Sequence, residues 1–142
     1  MKPSTKVPLD LLLHFIKYCN TITEPVVLVV EGNRDIEALD AIGIKLIQGK
    51  ILARKGISLT SIADQIYSFQ VIILLLDFDK EGRHMWSEMK AELQKRKGHG
   101  VIDPYPRQLL YKFFRAVRIN EIEELKQFSQ FTTGQEDEFN NM

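Results

Sequence analysis

Three carboxylates stand at positions and spacings that could do chemistry. Glu31 opens the run Glu31-Gly32-Asn33-Arg34-Asp35, and Asp77 and Asp79 open the run Asp77-Phe78-Asp79-Lys80-Glu81-Gly82. In an extended chain, residues two apart point to the same side, so Asp77 and Asp79 are expected to face one point with Phe78 turned away. Oxygen donors of this kind suit a hard cation. Mg²⁺ keeps several waters and is usually held by one or two carboxylates plus substrate phosphates, with Mn²⁺ as a substitute. Gly32 and Gly82 would let the backbone turn sharply or a phosphate approach closely. Taken singly, both motifs have plain alternatives: a Glu at a strand end is a solvated stop, and Asp-x-Asp before a helix caps it. Together they weigh more, because carboxylates crowded at one edge repel unless a cation or proton is shared.

These residues need a scaffold that brings strand ends together. Val26 to Val30 and Val71 to Leu76 are unbroken aliphatic runs, as expected of strands covered on both faces in a parallel sheet. Ile44 to Gln48, stopped by Gly49, reads as a short second strand, and Val101-Ile102 as a fourth. Between them, apolar residues recur at helical spacing. Leu9, Leu12, Leu13 and Ile16 predict a helix ending near Asn20. Ile36, Leu39 and Ile42 predict one from Asn33 to Gly43, and Ile62, Ile66 and Phe69 one capped by Ser58 or Thr60. A long helix is expected from Lys80 to Lys97, another over Leu109 to Val117, and a short one over Ile119 to Phe128. Strands alternating with helices predict an α/β fold with a parallel sheet, in which functional groups gather outside the carboxyl ends of the strands. Glu31 and Asp77 both fall at such ends. Residues 131–142 form an acidic tail with few apolar anchors, expected to be disordered.

At the two acidic runs the sequence resembles the Toprim family, the catalytic domain shared by type IA and type II topoisomerases, bacterial-type primases, overcoming-lysogenisation nucleases and the 5S rRNA maturase. The matching motifs are Glu-Gly-x-x-Asp, Glu31 to Asp35, and Asp-x-Asp-x-x-Gly, Asp77 to Gly82. Their separation and the shortness of the chain look most like the archaeal small stand-alone, primase-like Toprim proteins. The stretch Arg118 to Leu125 also resembles the C-terminal helix of that group. The resemblance implies a single-domain three-layer α/β/α fold over residues 1–130 with a mostly parallel four-stranded sheet. It implies Glu31 as general acid/base and a contributor to the metal site, Asp77 and Asp79 as Mg²⁺ ligands, and Asp35 as an acid ordering the site from behind. Lys80-Glu81 inside the second motif is a departure that adds a charge pair at its rim.

Phosphate backbones need cations near the metal. Arg34 and Arg83 follow the acidic motifs and are expected to flank a phosphate, or else to neutralise the carboxylates internally. Lys50, Arg54 and Lys55, in a loop after the second strand, are expected to reach the same edge, as are Lys80 and His84. Trp86 reads as a packing residue rather than a base-stacking platform. His84 and His99 lack partners at zinc-ligand spacing. Lys+Arg and Asp+Glu number 19 each, so net charge draws the chain toward no partner and any attraction to DNA or RNA must be local. At 142 residues the chain fits one domain. A single cysteine, Cys19, and the absence of any signal-like or membrane-length apolar run predict a soluble cytoplasmic protein. Two functions are therefore expected: Mg²⁺-dependent nuclease or nucleotidyl-transfer chemistry, or a non-catalytic DNA- or RNA-binding subunit of a larger processing complex. A nucleotide-binding domain without a polymer substrate is a third.

Overall fold

A computed structural model describes residues 6–132. β1 (Val26–Val30) is the valine-rich run VVLVV, buried at every position. β-branched side chains suit an extended backbone, and burial on both faces removes the need for a polar alternation. Around it lie β2 (Gly49–Ala53), β3 (Val71–Leu74) and β4 (Val101–Ile102), in the order β2-β1-β3-β4 and all parallel.

Alternate side chains of β1 feed two cores. Val26, Leu28 and Val30 pack with Ile73 and Leu75 beneath α1 (Lys6–Asn20), α2 (Asn33–Ala41), α5 (Tyr105–Val117) and a 3₁₀ helix (Ile122–Phe128). Val27 and Val29 pack with Ile72 and Leu74 beneath α3 (Leu59–Ile66) and α4 (Lys80–Gln94). The result is a three-layer α/β/α fold, with each fully buried aliphatic side chain contributing roughly 1.5–3 kcal/mol. α3 is capped by Ser58, whose side chain accepts from the Ser61 amide, and Gly43 takes a positive φ of 98° beyond the end of α2.

The second strand differs from the sequence expectation. Residues 44–48 form a turn-rich connection, with Ile44 plugged into the core and Ile47 60% exposed, and the strand begins at Gly49. A Cβ at Gly49 would collide with the Val26 carbonyl, so this glycine admits the close approach of β2 to β1. A residue read as a strand stop is the strand's entry. Lys50 consequently lies within β2, paired with Val27, and its ammonium sits 5.6 Å from the centre of the Phe69 ring. It is at the amino half of the strand rather than in a loop at the carboxyl edge.

Residues 129–132 are helical, and the rest of the expected tail lies outside the described residues. Among the described residues, no helix is long and apolar enough to cross a membrane.

Candidate functional site

The chain leaves β1 toward β2 on one side, while β3 pairs with β1 on the other. The carboxyl ends of β1 and β3 therefore flank a switch point, where open parallel sheets leave a crevice. Glu31 is the first residue after β1. Asp77 comes three residues after Leu74, past Leu75, whose amide still donates to the Val29 carbonyl. Both line one cleft of about 600 Å³ together with Asp35, Glu121, Glu123 and the cations Arg34 and Lys55.

Each acid is held by a different local device. Asp35 is 6% exposed and accepts the Gly32 amide at 3.1 Å, closing the first turn of α2 onto the end of β1. Asp77 accepts the Ile122 amide at 2.9 Å, which pins the 3₁₀ helix over the cleft. The Phe78 amide donates to the Asn120 carbonyl at 3.2 Å, and Arg107 donates from Nη2 to the Asp77 carbonyl at 3.1 Å. Glu31 faces Arg54, whose Nε stands 3.7 Å from Oε1 and has no hydrogen-bond partner although buried. The extension of β2 makes this contact, since the Arg54 and Lys55 amides donate to the carbonyls of Val30 and Glu31.

Asp79 takes another course. Its Oδ1 accepts the Gly82 amide at 2.7 Å, so it caps α4 and does not line the cleft. Asp77 and Asp79 are thus turned to different tasks, because the strand ends before Asp77 and the chain is already bending into the helix. Gly82 lies inside the first turn of α4, where a Cβ would collide with the Asp77 carbonyl. It lets the helix seat against Asp77. Over Gly32, by contrast, a Cβ would meet only the Lys55 side chain at 3.9 Å.

Crowding and burial push these acids toward the protonated form. Burial pushes Asp77 up to about 7, opposed by the Ile122 amide and reinforced by Asp35, Asp79 and Glu121. Glu31 is raised by burial, with Arg54 opposing and Glu81, Asp35 and Asp79 adding to the rise. Asp35 is raised chiefly by burial. Glu121 is raised first by its side-chain hydrogen bond with Glu123. Carboxylate oxygens are the donor type that a hard divalent cation takes. Among the described residues no three such side chains converge on one point, so a cation held here would draw ligands from water or substrate.

No protein-family model matches the chain. A UPF0292 protein of Methanocaldococcus jannaschii is 31% identical over 87 residues, 60% of this chain and 66% of that protein. The match therefore spans just under two thirds of that relative's length. A solved structure of an Aquifex aeolicus protein superposes with a TM-score of 0.62 at 26% identity, covering 80% of this chain and 96% of that one.

The expected cations are dispersed. Arg34 and Lys55 line the cleft, and Arg54 serves Glu31. Lys80 is exposed at the start of α4 and lines no part of the cleft. Arg83 lies across Phe78 from the acids, and His84 is engaged with Glu88 at 2.7 Å. Glu121 and Glu123 are site residues that sequence reasoning missed. Their signal is the spacing Glu121-x-x-Glu124, in which the Glu124 carboxylate accepts the Glu121 amide and starts the 3₁₀ helix.

Proposed function

We propose that this is a Mg²⁺-dependent, Toprim-like nucleic-acid-processing protein that acts on phosphodiesters of DNA or RNA, as a nuclease or by nucleotidyl transfer. The observation that carries this reading is the convergence of Glu31 and Asp77, from the two strands flanking the switch point, in one acidic cleft with raised carboxyl pKa values. Asp77 would hold the metal, with Glu31 contributing from its edge, while Asp79 stays engaged as the cap of α4. When bound, Mg²⁺ supplies positive charge that polarises a phosphodiester and offsets the crowded carboxylates. Glu31, its pKa raised by burial and its carboxylate facing Arg54, would take or return the proton of the attacking hydroxyl or water. Arg34 and Lys55, at the cleft wall, would meet phosphate oxygens. Asp35 keeps the β1 end closed against α2 and so positions Glu31.

A second reading is favoured by the Asp77–Ile122 bond, which ties a would-be ligand into the fold. In that reading the protein is a non-catalytic DNA- or RNA-binding subunit of a larger processing complex. Labelled single- and double-stranded DNA and RNA, incubated with Mg²⁺, Mn²⁺ or EDTA, separate the two. Metal-dependent cleavage or extension lost in Glu31→Gln and Asp77→Asn is expected. Turnover that survives both substitutions sinks the acidic-site mechanism, and binding without turnover selects the subunit reading.

A further inference from the structure

A second recess opens where the chain passes from Asp77 to Phe78. Arg83 and Trp86 of α4 and Arg107, Tyr111 and Lys112 of α5 line a cavity of about 420 Å³ with Phe78 among its walls. An adjoining cavity of about 320 Å³ shares Phe78, Arg83 and Tyr111 and runs on to Arg115 and Arg118. Shared walls make the two one groove. No carboxylate lines either part, and among the described residues none of these five cations joins an ion pair.

The aromatic faces are arranged with the cations. The Arg107 guanidinium lies 4.5 Å from the Phe78 ring centre and 5.8 Å from that of Trp86, and is fixed by the Leu76 and Asp77 carbonyls. Arg115 lies 5.8 Å from the centre of the Tyr111 ring, which is 40% exposed.

We propose that this groove is a track for single-stranded nucleic acid, with bases stacked on Tyr111 and Trp86, phosphates met by Arg83, Lys112, Arg115 and Arg118, and the strand led past Phe78 to the acidic cleft. The inference rests on the nucleic-acid reading above and assigns its substrate class. A duplex offers phosphates but keeps its bases stacked inside, leaving the aromatic walls unused. An acidic peptide offers charge without flat rings. A single strand brings both phosphates and unstacked bases, the pairing that sequence-tolerant single-strand sites use.

Trp86 is the sole tryptophan, so its emission reports on the groove directly. The test titrates the full chain in EDTA with single-stranded DNA, single-stranded RNA, duplex DNA and poly-glutamate, following Trp86 emission and, for the nucleic acids, anisotropy of a labelled oligonucleotide. Saturable quenching by single strands is expected, with the DNA and RNA arms identifying the preferred sugar. Tyr111→Ala, at an exposed position, should weaken binding about tenfold. Lys112→Ala should reduce the slope of log affinity against log salt by about 0.7. Thermal melts check that both variants stay folded. Oligonucleotide binding that leaves Trp86 emission and both variants unaffected overturns the groove and spares the nucleic-acid function. Equal affinity for duplex, or equal quenching by poly-glutamate, overturns the single-strand assignment. Absence of any nucleic-acid binding at low salt removes the groove and the function together.

Discussion

The acidic cleft draws its carboxylates from the end of β1, the first turn of α2, the segment after β3 and the 3₁₀ helix, whereas the basic groove is lined by residues of α4 and α5, which cover opposite faces of the sheet. Phe78 divides them. On one side, acids are crowded until burial and mutual repulsion raise their pKa values. On the other, cations rest on aromatic faces with no carboxylate among the lining residues, although Asp77 lies near enough to favour the charge of Arg107. The difference teaches that a net charge of zero can conceal a local asymmetry: acids outnumber cations in the lining of the cleft, whereas the lining of the groove holds cations and no carboxylate.

The largest expected effect separates the two surfaces. Glu31→Gln and Asp77→Asn should each lower metal-dependent turnover by about 10²–10⁴, the usual worth of a positioned acid/base or ligand, with groove affinity in EDTA unchanged. A parallel loss of affinity would show that the surfaces are one site. Next in size, Gly82→Ala should damage both at once, because its Cβ meets the Asp77 carbonyl where α4 seats against the cleft. A loss of about 1–3 kcal/mol in denaturant unfolding is expected.

The pH response should also differ. In metal-free protein Asp77 has a folded value of about 7 against an ordinary 3.8, so the fold favours its protonated form. That contribution is complete below the ordinary value and is lost as pH rises through the folded one. Thermal melts in EDTA should therefore show Tm falling by roughly 10 °C across this window, with Asp77→Asn flattening the fall and added Mg²⁺ reversing it. The groove has no carboxylate in its lining, so oligonucleotide affinity should stay level over the same range. The smallest effect is reserved for Tyr111→Phe, which keeps the ring that stacks and removes only the hydroxyl near Arg115; affinity should change by less than about twofold.

Much of the scaffold was legible in the residues. The runs Val26–Val30 and Val71–Leu76 predict buried strands because only a two-sided interior tolerates such unbroken aliphatic sequence, and the helical spacings fall on helices. The second strand was misplaced because Gly49 carries two opposite meanings, a stop or a close approach, and only the neighbouring Val26 carbonyl distinguishes them. Lys50 moved with it.

What the sequence determined by itself is therefore local: the strand ends, the helix starts, and the acids of Glu31-Gly32-Asn33-Arg34-Asp35 and Asp77-Phe78-Asp79 that stand there. Only the tertiary structure decided which of those acids share a space. It turned Asp79 to the cap of α4 and folded Glu121 and Glu123 over Asp77 from more than forty residues away. Trp86 packs against the second core as expected, and its remaining surface lines the groove. The physical reason is that local propensity sets where a chain bends, while the direction a side chain faces depends on what packs against the bend.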